Sequence, residues 1–334
     1  MTVFTSWRAI PRWASARAMA VLSLQIGFTV LNVGLILLAP SLWQADLASF
    51  FRMHLLFAGL GALMLGFMVH GIGPKLAGAI ALSSVVVPFL WTPATALPTS
   101  SDTDLRFRIV SANVYVDNSD PTAFIEFLGK EKPTLVVLQE MTDRWQDTIS
   151  AALPWPYQST MDIRSRDDMK VFSRFPILSE QVVSPESGDT GGRHPVRFDL
   201  AIGNSRVVLF AVHTQTPRTE EMWRERNAYL RDLIAAVRAE AQGTRIVVAG
   251  DWNTPIWSPF FSRALDDGDL RTTQSRWWPL PTRFSLRFGS IPELGIPIDH
   301  IAVSPNIRLA GFSTGPQFGS NHLPVIADLV IPAP

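Results

Sequence analysis

The chain is 334 residues long, 47% hydrophobic and 17% charged, with 29 Lys and Arg against 29 Asp and Glu and no cysteine. Without cysteine there can be no disulfide, thiolate zinc site or cysteine nucleophile. From residue 105 onward 24 Lys and Arg face 26 Asp and Glu, a net charge of −2, which argues against a domain built to grip nucleic acid in bulk and leaves room for a small substrate cleft.

The charges are scarce at the start of the chain. Residues 19–39, MAVLSLQIGFTVLNVGLILLA, form an uncharged run of the length a membrane span needs. Arg8, Arg12 and Arg17 precede it. The run is too long for the apolar core of a signal peptide, and more apolar sequence follows, so a retained helix is expected. Further runs cover Leu55–Val69 and Leu76–Trp91, each shorter than an average span. A turn is expected between them at His70–Lys75, where Gly71, Gly73 and Pro74 favour a break. Two short spans or one re-entrant hairpin both fit. The arginines before the first run place the N-terminus in the cytoplasm; Lys75 agrees and Arg52 dissents. One crossing or three then puts everything after Trp91 outside the cytoplasm. Residues 1–91 therefore read as a membrane region of about three transmembrane helices. Thr92–Asp104, TPATALPTSSDTD, reads as a linker that buries too little apolar surface to fold alone.

Beyond the linker, residues 105–334 alternate β-rich runs with helical patterns. Strands are expected at Leu105–Val114, Thr134–Met141, Met169–Ile177, Val196–Ile202, Ser205–Thr214, Thr244–Thr254, Pro297–Ser304 and His322–Ile331. Helices are expected at Pro121–Pro133 and around Glu220–Glu240. This pattern predicts an α/β fold of packed sheets flanked by helices. Polar residues recur where the apolar strands stop: Asn113, Glu140, His213, Asp251, Asn253, Asp299 and His322. Strand ends on one rim can converge on a pocket.

These residues sit in the motifs SANVY, VVLQEM, FSRFPI, AVHT, GDWNTP, PIDHIAVS and SNHLPV, in that order. In this the sequence from Leu105 to Ile331 resembles the endonuclease/exonuclease/phosphatase superfamily, and in layout its membrane-anchored bacterial branch. The resemblance implies a DNase I-like, four-layered α/β sandwich of two packed β-sheets flanked by helices. It implies hydrolysis of phosphodiesters or phosphomonoesters with Mg²⁺ or Mn²⁺. A bacterial inner-membrane protein with an extracytoplasmic catalytic domain is then expected, acting on a nucleic acid or a lipid headgroup beside the bilayer; no obligate protein partner is evident.

The chemistry requires neutralised phosphoryl oxygens, an activated water and a stabilised leaving oxygen. By resemblance Glu140 is a metal ligand, and Asn113 offers a carbonyl oxygen to the metal or an amide to a phosphate oxygen. Asp251 orients or deprotonates the attacking water, and Asn253 contacts the phosphate; if the strand continues, the two share a face, although both residue types also favour caps and Asx turns. Asp299 and His322 form an acid–imidazole pair that acts as general base or stabilises the transition state. His213 donates to a phosphate oxygen or the leaving group. Which of Asp251 and His322 takes the proton stays open. His300, next to Asp299, reads as structural.

There are two departures from the family pattern. Asn321 replaces the usual aspartate of Ser-Asp-His, which keeps a carbonyl oxygen for the metal but loses a charge. Tyr115 stands where relatives carry an acid. Both point to a single, weaker metal site. The alternative is a catalytically weak or inactive membrane-tethered binding protein on the same fold. The tryptophans of Arg276–Pro281, with Trp252 and Trp257, fit base stacking, a membrane interface or a plain core cluster equally well.

Overall fold

The computed structural model describes residues 12–90, 95–98, 105–160, 168–275, 278–288 and 290–332. Arg8, Trp91, most of Thr92–Asp104, Arg276 and Trp277 lie outside the described residues. The chain divides into two compact units, Met1–Trp91 and Thr92–Pro334.

The first unit is helical: α1 (Arg12–Leu38), α2 (Trp43–Leu47), α3 (Arg52–Met68) and α4 (Ile72–Leu90). Three stretches are long and apolar enough to cross a membrane: Ser15–Leu38, Trp43–Met68 and Ile72–Leu90. The last two are longer than the sequence runs suggest. Trp43–Met68 runs back through a 3₁₀ turn at Ala48–Phe51. The expected break at His70–Lys75 contracts, because Pro74 sits in the first turn of α4, where backbone N–H groups have no intrahelical acceptor and a proline costs little. Arg52, expected as a flanking charge, is 4% exposed. It donates to Asn32 Oδ1 (3.0 Å), and Asn32 Nδ2 donates to the Ser84 carbonyl (2.8 Å). A buried cation in an apolar bundle persists where such partners satisfy it.

The second unit contains β1 (Leu105–Asn113), α5 (Thr122–Glu131), β2 (Leu135–Gln139), α6 (Asp143–Ala152), β3 (Tyr157–Gln158), β4 (Lys170–Ser173), β5 (Ile177–Val182), β6 (Val196–Ile202), β7 (Ser205–His213), α7 (Glu220–Ala239), β8 (Arg245–Asp251), α8 (Pro259–Asp267), β9 (Arg271–Thr272), β10 (Asp299–Val303), β11 (Arg308–Thr314) and β12 (Val325–Ile331). The strands form two six-stranded mixed sheets, ordered β11-β12-β1-β2-β4-β3 and β5-β6-β7-β8-β10-β9.

Strand periodicity builds the layers. On β7, Val207, Leu209 and Ala211 face the core between the sheets, and Val208, Phe210 and Val212 face the core beneath α7 and α8. On β1, Phe107 and Ile109 face inward, and Val110 and Ala112 face a third core under α5 and α6 with Phe124, Phe127 and Trp145. The result is helix, sheet, sheet, helix, the four-layered sandwich. Its helices begin on short polar caps: the Thr142, Thr219 and Ser258 side chains accept from backbone N–H groups of α6, α7 and α8.

Two expectations change. Met169–Ile177 is not one strand; β4 and β5 belong to different sheets. Pro176 cannot donate to a ladder, and Ser173 Oγ both accepts from Phe175 N (2.9 Å) and donates to its carbonyl (2.8 Å), so the chain crosses over there. Nor is the whole of Thr92–Asp104 a free linker. Thr95 bridges Thr272 on β9, Pro98 bridges Leu309 on β11, and Ala96 is buried in the inter-sheet core. These residues span the edges of both sheets.

Candidate active site

Register places the polar strand ends on one rim. Asn113 pairs with Gln139 across β1 and β2, so Glu140 follows directly beyond. In the other sheet His213 pairs with Asp251 across β7 and β8, and Asp299 pairs with Asp251 across β8 and β10. His322 lies just before β12. The two sheets meet here: Asn113 Nδ2 donates to Glu140 Oε1 (2.9 Å) in its own sheet and to Asp251 Oδ2 (3.2 Å) in the other. In this arrangement the side-chain Oδ1 of Asn113 accepts from Tyr115 N (2.9 Å). Between two carboxylates the amide nitrogen is the end that bonds.

Asp251 is set by its neighbours in the chain. Gly250 has φ +149°, and a Cβ there would lie 1.9 Å from the Val212 carbonyl oxygen. Only glycine lets β8 approach β7 so closely at the rim. The strand ends at Asp251, so Asp251 and Asn253 do not share a strand face. Asn253 is left-handed (φ 43°), and its N–H donates to Asp251 Oδ1 (2.9 Å), closing an Asx turn. Its Nδ2 donates to the Thr214 carbonyl (3.0 Å). Tyr115, Glu140 and Asp168 also have positive φ and line the same pocket as Asn253. Such conformations cost about 1–3 kcal/mol each and gather at functional sites.

Two acid–imidazole pairs flank this centre. His322 Nδ1 lies 2.9 and 3.1 Å from the Asp299 carboxylate oxygens, and its Nε2 lies 3.9 Å from Asp251 Oδ2. His213 Nδ1 lies 2.6 Å from Asp168 Oδ1 and 2.6 Å from Arg193 Nη1, and its Nε2 lies 3.8 Å from Glu140 Oε1. Asp168 and Arg193 were not legible as site residues. Asp168 stands before an ordinary strand, and Arg193 follows the loop GDTGG, with no motif to mark either. Arg218 and Arg283 also line the pocket, which has a volume of about 580 Å³.

The electrostatics follow from burial and proximity. Burial raises the Asp251 carboxyl above its ordinary value, and nearby Asp299 raises it further, against the opposite pull of His322 and His213. For His322, burial works most strongly against the charge, but the Asp299 carboxylate, by charge and hydrogen bond, and Asp251 outweigh it, so its pKa is raised. Asp168 is buried, which alone would raise it, but His213 and Arg193 bring it below the usual carboxylate range. His300, which packs between Trp252 and Phe261 with Nε2 2.8 Å from the Thr254 carbonyl, is pushed down to about 4 by burial. It is neutral and structural. Trp252 is fully buried in the core beneath α8 and Trp257 packs against the same core, so neither is a stacking platform; Trp278 is 56% exposed.

A hard cation prefers oxygen ligands, and the pocket offers them. Glu140 is partly exposed to it. Asn321 Oδ1 is buried with no hydrogen-bond partner, an orphaned acceptor that a cation would satisfy. Asp251, Asp299 and His322 bring donor atoms within 4.8 Å of one another, but Asp299 and the Nδ1 of His322 already engage each other. The oxygen-rich side at Glu140, Asn321 and Asp251 is the better fit.

Residues 110–322 match the sequence profile of the Endonuclease/Exonuclease/phosphatase family. No curated protein matches the sequence. Among solved structures, an endonuclease/exonuclease/phosphatase from Beutenbergia cavernae superimposes with a TM-score of 0.54 at 19% identity, covering 68% of this chain and 72% of its own. A D. rerio TDP2 humanised by 14 mutations gives 0.53 at 12% identity, with 67% and 98% covered. A family protein from Bacteroides thetaiotaomicron gives 0.52 at 14% identity, with 69% and 99% covered. At these identities the structural likeness is one of fold. With the profile match spanning most of the β-sandwich unit and the motif order conserved in space as one rim, the chain belongs to the endonuclease/exonuclease/phosphatase family.

Proposed function

We propose that the protein is a membrane-anchored, divalent-metal-dependent hydrolase of phosphodiester or phosphomonoester bonds. The observation that carries this reading is the convergence of Asp251, Glu140 and two acid-supported histidines, His322 and His213, on one pocket with Arg193, Arg218 and Arg283. Carboxylates suit a cation and arginines suit an anionic phosphate.

Glu140, Asn321 and Asp251 would hold Mg²⁺ or Mn²⁺. When bound, such an ion neutralises negative charge on the phosphoryl oxygens. The chain's own groups supply the rest. Asp251, its pKa raised, is the acceptor for the proton of the attacking water, since a base nearer neutrality works better in the transition state. His322, its pKa raised by Asp299, stabilises the charge growing on the phosphoryl group through Nε2 when protonated. His213, its Nδ1 held between Asp168 and Arg193, presents Nε2 to the leaving oxygen. Asn253 and Asn113 fix the position of Asp251.

Full-length protein in detergent, assayed on bis-p-nitrophenyl phosphate and p-nitrophenyl phosphate with Mg²⁺ or Mn²⁺, is expected to turn over. EDTA should abolish the activity, and Asp251→Asn and His322→Ala should each lower kcat by about 10²–10⁴-fold. Turnover that persists in EDTA, or in both variants, sinks the reading. A folded wild type inactive on every ester favours the tethered binding protein instead, with Asn321 the first suspect.

A further inference from the structure

Of the nine exposed large apolar side chains among the described residues of the second unit, four lie on the connection between β9 and β10. Trp278, Leu286, Ile291 and Leu294 are between 43% and 57% exposed. Isolated exposed apolar residues are ordinary; several on one connection beside a catalytic pocket mark an interaction surface.

The connection joins two places that matter. It leaves β9 directly after Thr272, whose carbonyl accepts from Ala96 N (2.9 Å) on the segment arriving from the apolar helices. It returns along the catalytic rim: Leu323 N donates to the Thr282 carbonyl (2.6 Å), Phe284 N donates to the Asn321 carbonyl (2.9 Å), and Arg283 lines the pocket. Only residues 91–94 separate Leu90, the end of α4, from Thr95, which bridges β9. Fully extended, that chain reaches about 18 Å.

The chemistry of the connection suits lipid better than nucleic acid. Of the four exposed side chains one is aromatic; Leu286, Ile291 and Leu294 have no π-face on which a base can stack, but they partition into an acyl boundary. From Ser275 to Pro297 the sequence carries three arginines and one glutamate, a balance that anionic headgroups attract.

Resting on the phosphoesterase reading, we propose that this connection seats the domain on the bilayer surface and that the substrate is a phospholipid headgroup phosphodiester presented there. The water oxygen bonds to phosphorus, the P–O bond to one alcohol breaks, and the proton lost by the water ends on that alcohol.

The test uses full-length protein reconstituted into phosphatidylcholine–phosphatidylglycerol vesicles. The native chain has no cysteine, so Ile291→Cys accepts a single environment-sensitive fluorophore. Leu178→Cys on β5, at the opposite edge of the same sheet, is the control. Nitroxide-labelled lipids are expected to quench the probe at 291 about three-fold more than the probe at 178. Equal quenching overturns the seating, as does single-stranded DNA that displaces the probe from lipid. In a second arm, Leu286→Ser, Ile291→Ser and Leu294→Ser are combined. Hydrolysis of vesicle phospholipid should fall about ten-fold while turnover of bis-p-nitrophenyl phosphate stays within about two-fold. Equal loss on both substrates, or loss on neither, refutes the proposal. A wild type inactive on the soluble ester removes the phosphoesterase reading and the substrate assignment with it, while the quenching still decides the seating.

Discussion

At the scale of single residues, the site is governed by charges that hold one another in place. Asp299 raises the His322 pKa, so Asp299→Asn should lower it and reduce kcat by about 10²-fold or more. The pH–rate profile checks this with a definite sign. The Asp251 carboxylate must be ionised, so activity rises as pH climbs through its raised value. The His322 imidazolium must persist, so activity falls as pH climbs through that group's raised value. In Asp299→Asn the alkaline limb should move to lower pH; a limb left in place would show that His322 is not the group reporting it. Because Asp251 and His322 interact, the two limbs belong to the pair. Backbone constraint is as local. Gly250→Ala drives a Cβ into the Val212 carbonyl at a φ of +149°, and a loss of about 3 kcal/mol or more is expected in thermal unfolding. Asp251, Asn253, His322, Asp299, Glu140 and His213 were all legible because they flank apolar strands within short motifs that resemble those of a known family. Asp168 and Arg193 were not, because their partner His213 is distant in sequence and only the crossing between the sheets brings them to it.

At the scale of elements, the central strands read clearly and the peripheral ones did not. β7 is apolar on both faces because helices cover one side and a sheet the other; Phe210→Ala, which empties the layer under α7, should cost about 3–5 kcal/mol. β11 and α6 went unseen. β11 is an edge strand half exposed along its length, so its alternation is weak; α6 spans only ten residues and buries only Trp145 and Ile149, too short a segment to stand out. The β6–β7 hairpin holds a testable charge cluster. Asp199, 5% exposed, bonds Arg206 (2.7 and 2.8 Å), Arg197 (2.9 and 3.3 Å) and Ser179 Oγ (2.8 Å). The hydrogen bond from Arg206, with those from Arg197 and Ser179, holds its pKa far below the carboxylate range against the cost of burial. A depressed native pKa stabilises the fold above the unfolded value of about 3.9 and loses that contribution as pH falls below it. Asp199→Asn should therefore cost about 1–3 kcal/mol near pH 7, and the gap from wild type should shrink near pH 3 in denaturant titrations.

At the scale of the whole molecule, the chain joins apolar helices to a four-layered α/β sandwich, and the orientation expected for it rests on few charges. Arg8, Arg12 and Arg17, ahead of the first uncharged run, and Lys75 in the first turn of α4 favour a cytoplasmic N-terminus. Arg52, the dissenting charge, is satisfied by Asn32 inside the helical unit, which weakens its claim as a loop signal. With three crossings, a reporter fused after Pro334 that is active only outside the cytoplasm should be active; one active only in the cytoplasm would reverse the orientation.

The sequence alone determined the apolar helices, the alternating strand pattern and the identity of most rim residues. The first two depend on local composition and periodicity and the third on short motifs that resemble a known family, and a single segment carries each by itself. Tertiary structure decided what those residues do to one another. It closed Asn253 onto Asp251 as a turn, aimed the Asn113 amide at two carboxylates, left the side-chain Oδ1 of Asn321 without a partner, and folded residues 95–98 against both sheet edges. Each of these depends on a contact between segments far apart in the chain, and no periodicity within either segment encodes it.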